Sequence, residues 1–133
     1  PAMIRKFHEA KIKNSSEVIL WGTGSPKREF LHVDDLSNAI FFVINNKHKI
    51  NYSLINVGSG IDITIKQCAH LIKNIVGYEG KIKWDSSKPD GTPRKLLDVS
   101  RLSKAGWKNE IKLNEGLERT YEWFLDNLKY IRK

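Results

Sequence analysis

The 133-residue sequence predicts an α/β fold, or an α+β fold when the chain is considered as an isolated piece. Two observations support this class. Short apolar runs bounded by Gly and Pro turns are typical of strands, and they alternate with longer segments whose apolar residues recur at helical spacing. Strands that alternate with helices favour an α/β architecture. The length is that of one domain with a modest core.

The first quarter of the chain predicts one helix and two strands. Residues 1–13 begin with a proline, which suits the first turn of a helix, and their apolar residues recur at helical spacing. An apolar strand at 18–21 ends at the Gly- and Pro-rich turn 22–26. Alternating residues at 27–33 then predict a second strand.

The middle of the chain predicts two helices separated by a strand. Asp34 and Asp35 are expected to cap the first of these helices, because acids there meet amide groups that lack partners. The apolar run 53–57 predicts a strand, and Thr64 begins a capping box for the next helix, which Gly77 ends. The expected buried stripes are Leu36, Ala39, Ile40, Val43 and Ile44 in the first helix, and Ile65, Cys68, Ala69, Ile72 and Val76 in the second.

The last third predicts a strand at 81–85 and two helices capped by Ser100 and Asn114. Only four short strands result, and they lie far apart in the sequence. A strand such as 53–57 needs neighbours to satisfy its backbone, so we expect part of its sheet to lie outside this chain. The last helix is expected to bury Leu117, Tyr121, Phe124, Leu125 and Leu128.

Composition excludes several classes of protein. No apolar run reaches the ~20 residues that a membrane span needs. The single cysteine, Cys68, excludes an internal disulfide and indicates a cytoplasmic protein, in which it is expected to be a small buried hydrophobe. The net charge of +8 leaves a basic nucleic-acid-binding module open as an alternative, although the cations are spread along the whole chain. Because the chain begins at Pro1, we expect it to be a fragment.

Cations beside rigid turns are the best candidates for a binding site. Arg28 follows one Gly/Pro turn, and Arg94 and Lys95 follow another, where they could grip phosphate oxygens. Trp21 ends a strand just before a turn and is interpreted either as an aromatic wall for a ligand or as a core residue. The four histidines lack metal-ligand spacing, so no metal site is expected. Neither Gly-x-Gly turn continues into a dinucleotide fingerprint, so no cofactor-binding residues are expected.

Longer motifs resemble a known family. Residues 28–35 (Arg-Glu-Phe-Leu-His-Val-Asp-Asp), 55–60 and 98–107 are similar to patterns of the extended short-chain dehydrogenase/reductases. Residues 21–28 and, above all, 88–98 (Lys-Pro-Asp-Gly-Thr-Pro-Arg-Lys-Leu-Leu-Asp) resemble the GDP-L-fucose synthase branch. The similarity is in register over nearly the whole chain, which is identified as the C-terminal, substrate-binding part of such an enzyme, residues 1–133, with a Rossmann-type parent fold.

The resemblance implies roles for particular residues. Arg28 matches an arginine that contacts the diphosphate of the GDP-sugar, and Lys95 matches a substrate-binding lysine. Lys6 stands where some members carry an arginine, and His32 is expected to be structural. The remaining matched positions line the substrate pocket, and they are Leu20, Trp21 and Met3.

The resemblance also implies what the chain lacks. The NADP loop and the catalytic Ser and Tyr-x-x-x-Lys residues of the parent enzyme precede this region, so we expect no catalytic residue here and an inactive fragment. The segment 52–60 would pair with the absent dinucleotide-binding domain, and the parent would be a homodimer that binds NADP(H) and a GDP-sugar, without nucleic acid or membrane. Another nucleotide-sugar epimerase or dehydratase of the same superfamily remains an alternative.

Overall fold

The computed structural model describes residues 2–131, which contain five α-helices and five short strands. A 3-10 turn, Lys47–Lys49, follows the second helix. The elements in chain order are α1 (Ala2–Ile12), β1 (Glu17–Trp21), β2 (Lys27–Glu29), α2 (Val33–Asn45), β3 (Asp62–Thr64), α3 (Ile65–Val76), β4 (Lys81–Asp85), β5 (Arg94–Lys95), α4 (Ser100–Lys104) and α5 (Leu113–Asp126).

The main core lies between helices and a two-stranded parallel sheet. β1 pairs with β4 from Glu17 opposite Lys81 to Trp21 opposite Asp85. Helices α1, α3 and α5 pack together beside this sheet, and α3 buries the stripe that its sequence predicts except for the half-buried Ile65. The largest fully buried side chain of this cluster is Phe7, and other members include Ile4, Val18, Leu20, Cys68, Ile72, Val76, Tyr78 and Phe124.

A second sheet carries the predicted binding cations. Its strand order is β3-β2-β5, with β2 antiparallel to β3 and parallel to β5. β2 ends at Glu29, which is shorter than the predicted strand 27–33 because residues 30–32 form no ladder before α2 begins. β3 and β5 are not predicted by the sequence, since three and two residues are too few to show a period.

The sequence predicts both ends of α3 correctly. Thr64 accepts a hydrogen bond from the Gln67 amide, and the Gln67 side chain in turn accepts from the Thr64 amide, which confirms the predicted capping box. Gly77 follows the helix in the left-handed conformation at φ 68°, as expected for a glycine that ends a helix.

Three predicted helix caps are wrong. His32, not Asp34 or Asp35, is the N-cap of α2, and its Nδ1 accepts from the Asp34 amide. Val99 precedes α4 without a side-chain cap, while the preceding Asp98 accepts from the Ser100 amide. Asn114, predicted to cap the last helix, lies within it: α5 begins at Leu113, and its N-cap position is Lys112, again without a side-chain cap.

The segment 53–57 is not a strand. Within residues 2–131 it forms no ladder, because β-structure needs a neighbouring strand and none lies beside it. The predicted stripe of α2 is also mostly uncovered. Ala39 is fully buried and Val43 is half-buried, whereas Leu36, Ile40 and Ile44 are exposed. Likewise, the predicted stripe of the last helix is only partly buried: Phe124 is buried, whereas Leu125 is exposed, and Leu128, which lies beyond the end of α5, is exposed as well.

Candidate functional site

Two predicted phosphate-binding cations lie side by side on the second sheet. Arg28 on β2 is directly opposite Lys95 on β5, and opposed residues of neighbouring strands project to the same face. Arg28 is half-buried, and its Nη1 donates to the Lys27 carbonyl oxygen at 2.6 Å. Neither Arg28 nor Lys95 enters an ion pair with any other residue between 2 and 131. Their charges are therefore available to an anionic ligand.

Arg94 differs from its neighbour Lys95. Its Nε donates to Asp62 Oδ2 at 2.5 Å, and the Asp62 side chain is only 8% exposed. The hydrogen bond from Arg94 is the main reason why the pKa of Asp62 lies below its ordinary value. This ion pair links β5 to β3, the two outer strands of the three-stranded sheet. The charge of Arg94 is therefore already neutralised by a residue of this chain.

The loop 88–93 is attached to the turn that follows β1. Asp90 accepts hydrogen bonds from the Thr23 amide at 2.9 Å and from Thr23 Oγ1 at 2.6 Å. These bonds lower the pKa of the Asp90 carboxyl, so it remains ionised at neutral pH. Gly22 leaves room for this contact, since a Cβ there would lie 2.2 Å from Asp90 Oδ1. Gly91 in turn lets the Arg28 guanidinium approach, because a Cβ at Gly91 would lie 3.2 Å from Arg28 Nη2.

An exposed tryptophan lies near two ammonium groups, one of which belongs to this loop. Trp21 is 69% exposed, which excludes the interpretation as a core residue. The Nζ atoms of Lys6 and Lys88 each lie 5.9 Å from the centroid of its ring, within the range of a cation–π interaction. Lys6 Nζ also donates to the Ile19 carbonyl oxygen at 3.2 Å. Lys6 and Trp21, both predicted site residues, are thus brought together.

The other two predicted pocket residues lie elsewhere. Leu20 precedes Trp21 on β1, so its side chain projects to the opposite face, and it is buried in the main core. Met3 is half-buried on α1 and packs against the same core. Within this chain, both side chains therefore belong to the packing of the main core and not to the surface that carries the other predicted site residues. Those residues are Lys6, Trp21, Arg28 and Lys95.

Neither Gly-x-Gly turn fits the phosphates of a dinucleotide. At the first, Gly24 packs against the Trp84 ring, which a Cβ would meet at 2.6 Å. At the second, the Glu29 carboxylate lies against Gly58 and accepts from the Gly60 amide at 2.5 Å. The Glu29 carboxylate is thus bonded to an amide that a phosphate would need at this turn.

The structural roles of two acids were missed by sequence reasoning. Asp90 stands in a Pro-Asp-Gly turn, where an acid is ordinary, so nothing in the sequence indicates its partner Thr23. Asp35 is buried, and its carboxylate accepts from the amides of Glu110 and Ile111. It therefore holds the segment before α5 rather than capping α2. In the sequence, Asp35 is simply the second of two acids at the start of a helix, and nothing there indicates that its side chain would be buried.

Comparison with known proteins supports the family suggested by the motifs. The sequence model of the NAD dependent epimerase/dehydratase family matches residues 1–58. The chain is 53% identical over 133 residues to a protein of Oryza sativa subsp. japonica named probable GDP-L-fucose synthase 1, and 51% identical over 134 aligned positions to the GDP-L-fucose synthase of Escherichia coli K12. The chain is a homologue of the GDP-L-fucose synthases. It spans 40% of the rice protein and 42% of the E. coli protein.

A solved structure confirms the fold class. The GDP-mannoheptose C4 reductase MlghC of Campylobacter jejuni, solved with NADP bound, superimposes with a TM-score of 0.82 at 37% identity. The match covers 94% of this chain and 44% of that one. The α/β architecture is therefore that of a piece of a reductase fold. Within residues 2–131, no helix is both long and apolar enough to cross a membrane.

Proposed function

We propose that this chain is the GDP-sugar-binding portion of an NADP-dependent GDP-L-fucose synthase. The parent enzyme would convert GDP-4-keto-6-deoxy-D-mannose to GDP-L-fucose by epimerisation at C3 and C5 and reduction at C4. The observation that carries the proposal is the pair of unneutralised cations, Arg28 and Lys95, at directly opposed positions of the second sheet. The homology to named GDP-L-fucose synthases supports the choice of substrate.

The chemistry of the pair suits a diphosphate. The planar guanidinium of Arg28 can donate two parallel hydrogen bonds to phosphate oxygens, and the Lys95 ammonium adds a point charge beside it. Both cations lie on strands whose register is fixed, and the Asp62–Arg94 ion pair secures the strand that bears Lys95. A diphosphate would thus meet two cations at a defined separation without first ordering a loop.

The cofactor and the catalytic groups are proposed to lie outside this chain. The cofactor supplies the hydride for the reduction, and both Gly-x-Gly turns of this chain are filled by its own side chains. Tyr52, Tyr78 and Tyr121 are not followed by lysine at the fourth position. We therefore expect that the 133-residue chain binds the sugar nucleotide but does not turn it over, and that NADP(H) binds to the remainder of the parent.

The same proposal accounts for the exposed apolar surface of α2. Val33, Leu36, Ile40, Phe41 and Ile44 are all exposed, and Leu54 and Ile61 in the segment after α2 are exposed as well. We define these seven residues as the α2 face. In the parent, this face and the unpaired segment 52–60 would pack against the dinucleotide-binding domain, whose sheet would supply the missing partner strand. The parent is proposed to be a cytoplasmic homodimer.

Calorimetry of the 133-residue chain tests the binding function. We expect GDP and GDP-mannose to bind, and the Arg28→Gln variant to bind about 10- to 100-fold more weakly, since hydrogen bonds to charged groups contribute ~1.5–3 kcal/mol. Arg119→Gln is the matched control, because Arg119 lies on α5 and pairs with Glu115 of the same helix. No heat from the wild-type chain at millimolar GDP would contradict the proposal, as would equal affinities of wild type and Arg28→Gln.

A reductase acting on a different GDP-sugar is the second candidate. The structural match to the GDP-mannoheptose C4 reductase favours it, because that protein shares the fold over 94% of this chain. Both candidates need the same diphosphate grip, so GDP binding does not separate them. Assays of the longer parent protein with NADPH and a panel of GDP-4-keto sugars distinguish the two candidates. Turnover of the 6-deoxy sugar alone would favour the synthase.

A further inference from the structure

We propose that Glu29 is a positioning residue for the proposed diphosphate site, and that its carboxylate fixes the place of Lys95. The proposal rests on the binding function above, and it concerns a residue to which the family motifs give no role. It follows from the two backbone amides that donate to this carboxylate, from the shortness of β5 and from the glycine that leaves room for the side chain.

The carboxylate of Glu29 joins two segments that are far apart in the sequence. Its Oε1 accepts from the Gly60 amide at 2.5 Å, and its Oε2 accepts from the Leu97 amide at 3.1 Å. The Ser59 hydroxyl adds a longer contact to Oε1, at 3.4 Å. Because both oxygens of a carboxylate accept hydrogen bonds, one half-buried side chain holds a glycine turn on one side and the chain after β5 on the other.

The strand that bears Lys95 is too short to be held by its ladder alone. β5 has only two residues, and its pairing with β2 ends at Lys95. Before Lys95, the carboxylate of Asp62 holds Arg94 through their ion pair. After Lys95, the Leu97 amide donates to the Glu29 side chain. Lys95 is therefore held by a carboxylate on each side, and this restricts the positions that its ammonium group can reach.

Gly58 provides the space for the Glu29 carboxylate. A Cβ at Gly58 would lie 2.4 Å from Glu29 Oε1, so the carboxylate could not keep its place beside an alanine. The φ angle of Gly58 is not positive, so alanine at this position does not strain the backbone. Gly58→Ala therefore offers a second way to displace the carboxylate while its charge is kept.

The charge of Glu29 and its positioning role predict opposite effects on a bound diphosphate. Glu29 follows Arg28 on β2, so the two side chains project to opposite faces of the sheet. A negative charge near a diphosphate repels it, so removal of the charge alone would strengthen binding. Loss of the positioning role would weaken binding. Glutamine separates the two effects, because its side chain accepts at one oxygen only and cannot keep both backbone bonds.

Calorimetry of the 133-residue chain with GDP tests the role of Glu29. We expect Glu29→Gln to bind GDP about three- to tenfold more weakly than wild type, because it loses a hydrogen bond to a charged acceptor that orders the strand of Lys95. Gly58→Ala should also weaken the binding of GDP. The control is Glu118→Gln, which removes an equal charge from the exposed surface of α5 and should bind GDP as wild type does.

A double-mutant cycle shows whether Glu29 acts through Lys95. In the Lys95→Gln background the ammonium group is absent, so Glu29→Gln should change GDP affinity by less than about twofold. In the Arg28→Gln background, Glu29→Gln should keep its full effect. A side chain that only stabilises the fold would cost the same in both backgrounds. If Glu29→Gln does not fold, Gly58→Ala takes its place in the cycle.

The outcomes separate this proposal from the binding function on which it rests. If the wild-type chain binds GDP and Glu29→Gln binds it equally or more tightly, Glu29 does not place Lys95, and the binding function stands. Equal losses in the Lys95→Gln and Arg28→Gln backgrounds would also overturn the proposal, because Glu29 would then act on the whole fold. If the wild-type chain binds no GDP, both proposals fall.

Discussion

Arg28 and Arg94 lie on neighbouring strands but have different roles, which their partners decide. Arg94 pairs with the nearly buried carboxylate of Asp62, whereas Arg28 donates to the Lys27 carbonyl oxygen, approaches Gly91 and forms no ion pair among residues 2–131. Sequence alone presents both as cations after a turn. The distinction depends on Asp62, 32 positions before Arg94, and a contact of that range leaves no local pattern.

Loss of the Asp62 carboxylate should loosen β5 without unfolding the protein. We expect Asp62→Asn to speed hydrogen exchange at the Lys27 amide, which donates to the Pro93 carbonyl oxygen across the β2–β5 edge. Amides of β1 should be unaffected. Glu115→Gln, which removes the exposed partner of Arg119, is the control. Unchanged exchange at Lys27 in Asp62→Asn would show that the ion pair does not hold the strand.

The same ion pair has a defined dependence on pH. Because the pKa of Asp62 is lowered in the folded chain, the carboxylate contributes its stabilisation above its ordinary value of 3.8. That contribution is lost only as the pH falls through the lower, folded value. Exchange at the Lys27 amide, corrected for intrinsic rates, should therefore be constant from pH 7 to about pH 5.

Cys68 should be unreactive in the folded chain. Burial in the main core raises the pKa of its thiol from 9.0 to about 11, so the nucleophilic thiolate is scarce at pH 8. We expect modification by a disulfide reagent at pH 8 to be at least about tenfold slower in buffer than in denaturant, since unfolding restores both access and an ordinary thiol. Equal rates would contradict the burial. The sequence prediction of a small buried hydrophobe is confirmed by the structure.

At the scale of elements, prediction succeeded where a helix carries its own signals. The capping box and terminal glycine of α3 are local bonds between near neighbours, and they were correctly read from the sequence. β3 and β5 contain three and two residues and exist only because β2 lies between them. At 53–57 the sequence predicts a strand whose partners lie outside this chain, and among residues 2–131 this apolar run has no neighbouring strand and forms no ladder.

The two predicted caps, Thr64 and Asn114, provide a direct comparison. Thr64→Ala should lower the free energy of unfolding by about 1 kcal/mol, the usual value of a side-chain cap. Asn114→Ala should change it by only a few tenths, because α5 starts after Lys112 and no side chain caps it. Urea denaturation of both variants measures the difference. Equal losses would mean that Asn114 caps its helix after all.

At the scale of the whole molecule, the residues of the α2 face are apolar but lie outside the buried core, so they are candidates for docking and not for folding this chain. The sequence predicted a buried stripe of five residues on α2, but it could not tell that three of them, Leu36, Ile40 and Ile44, would remain exposed. A helical period shows which residues share a side and says nothing about what covers that side. Exposed apolar patches of this kind mark interaction surfaces. The chain spans 40% of its rice relative, so the partner that we propose for this face is the rest of the parent protein.

Two phenylalanines test whether the α2 face stabilises this chain or serves only for docking. Phe41 is 70% exposed and Phe7 is fully buried. In the 133-residue chain, Phe41→Ala should change the free energy of unfolding by no more than about 0.5 kcal/mol, whereas Phe7→Ala should cost about 3–5 kcal/mol. Phe41→Ala should also reduce binding of the dye ANS, which reports exposed apolar surface. In the longer parent, where the face would be covered, Phe41→Ala should become destabilising by ~2 kcal/mol or more. If it instead destabilises the 133-residue chain as much as Phe7→Ala does, the face belongs to the core of this chain and docks nothing.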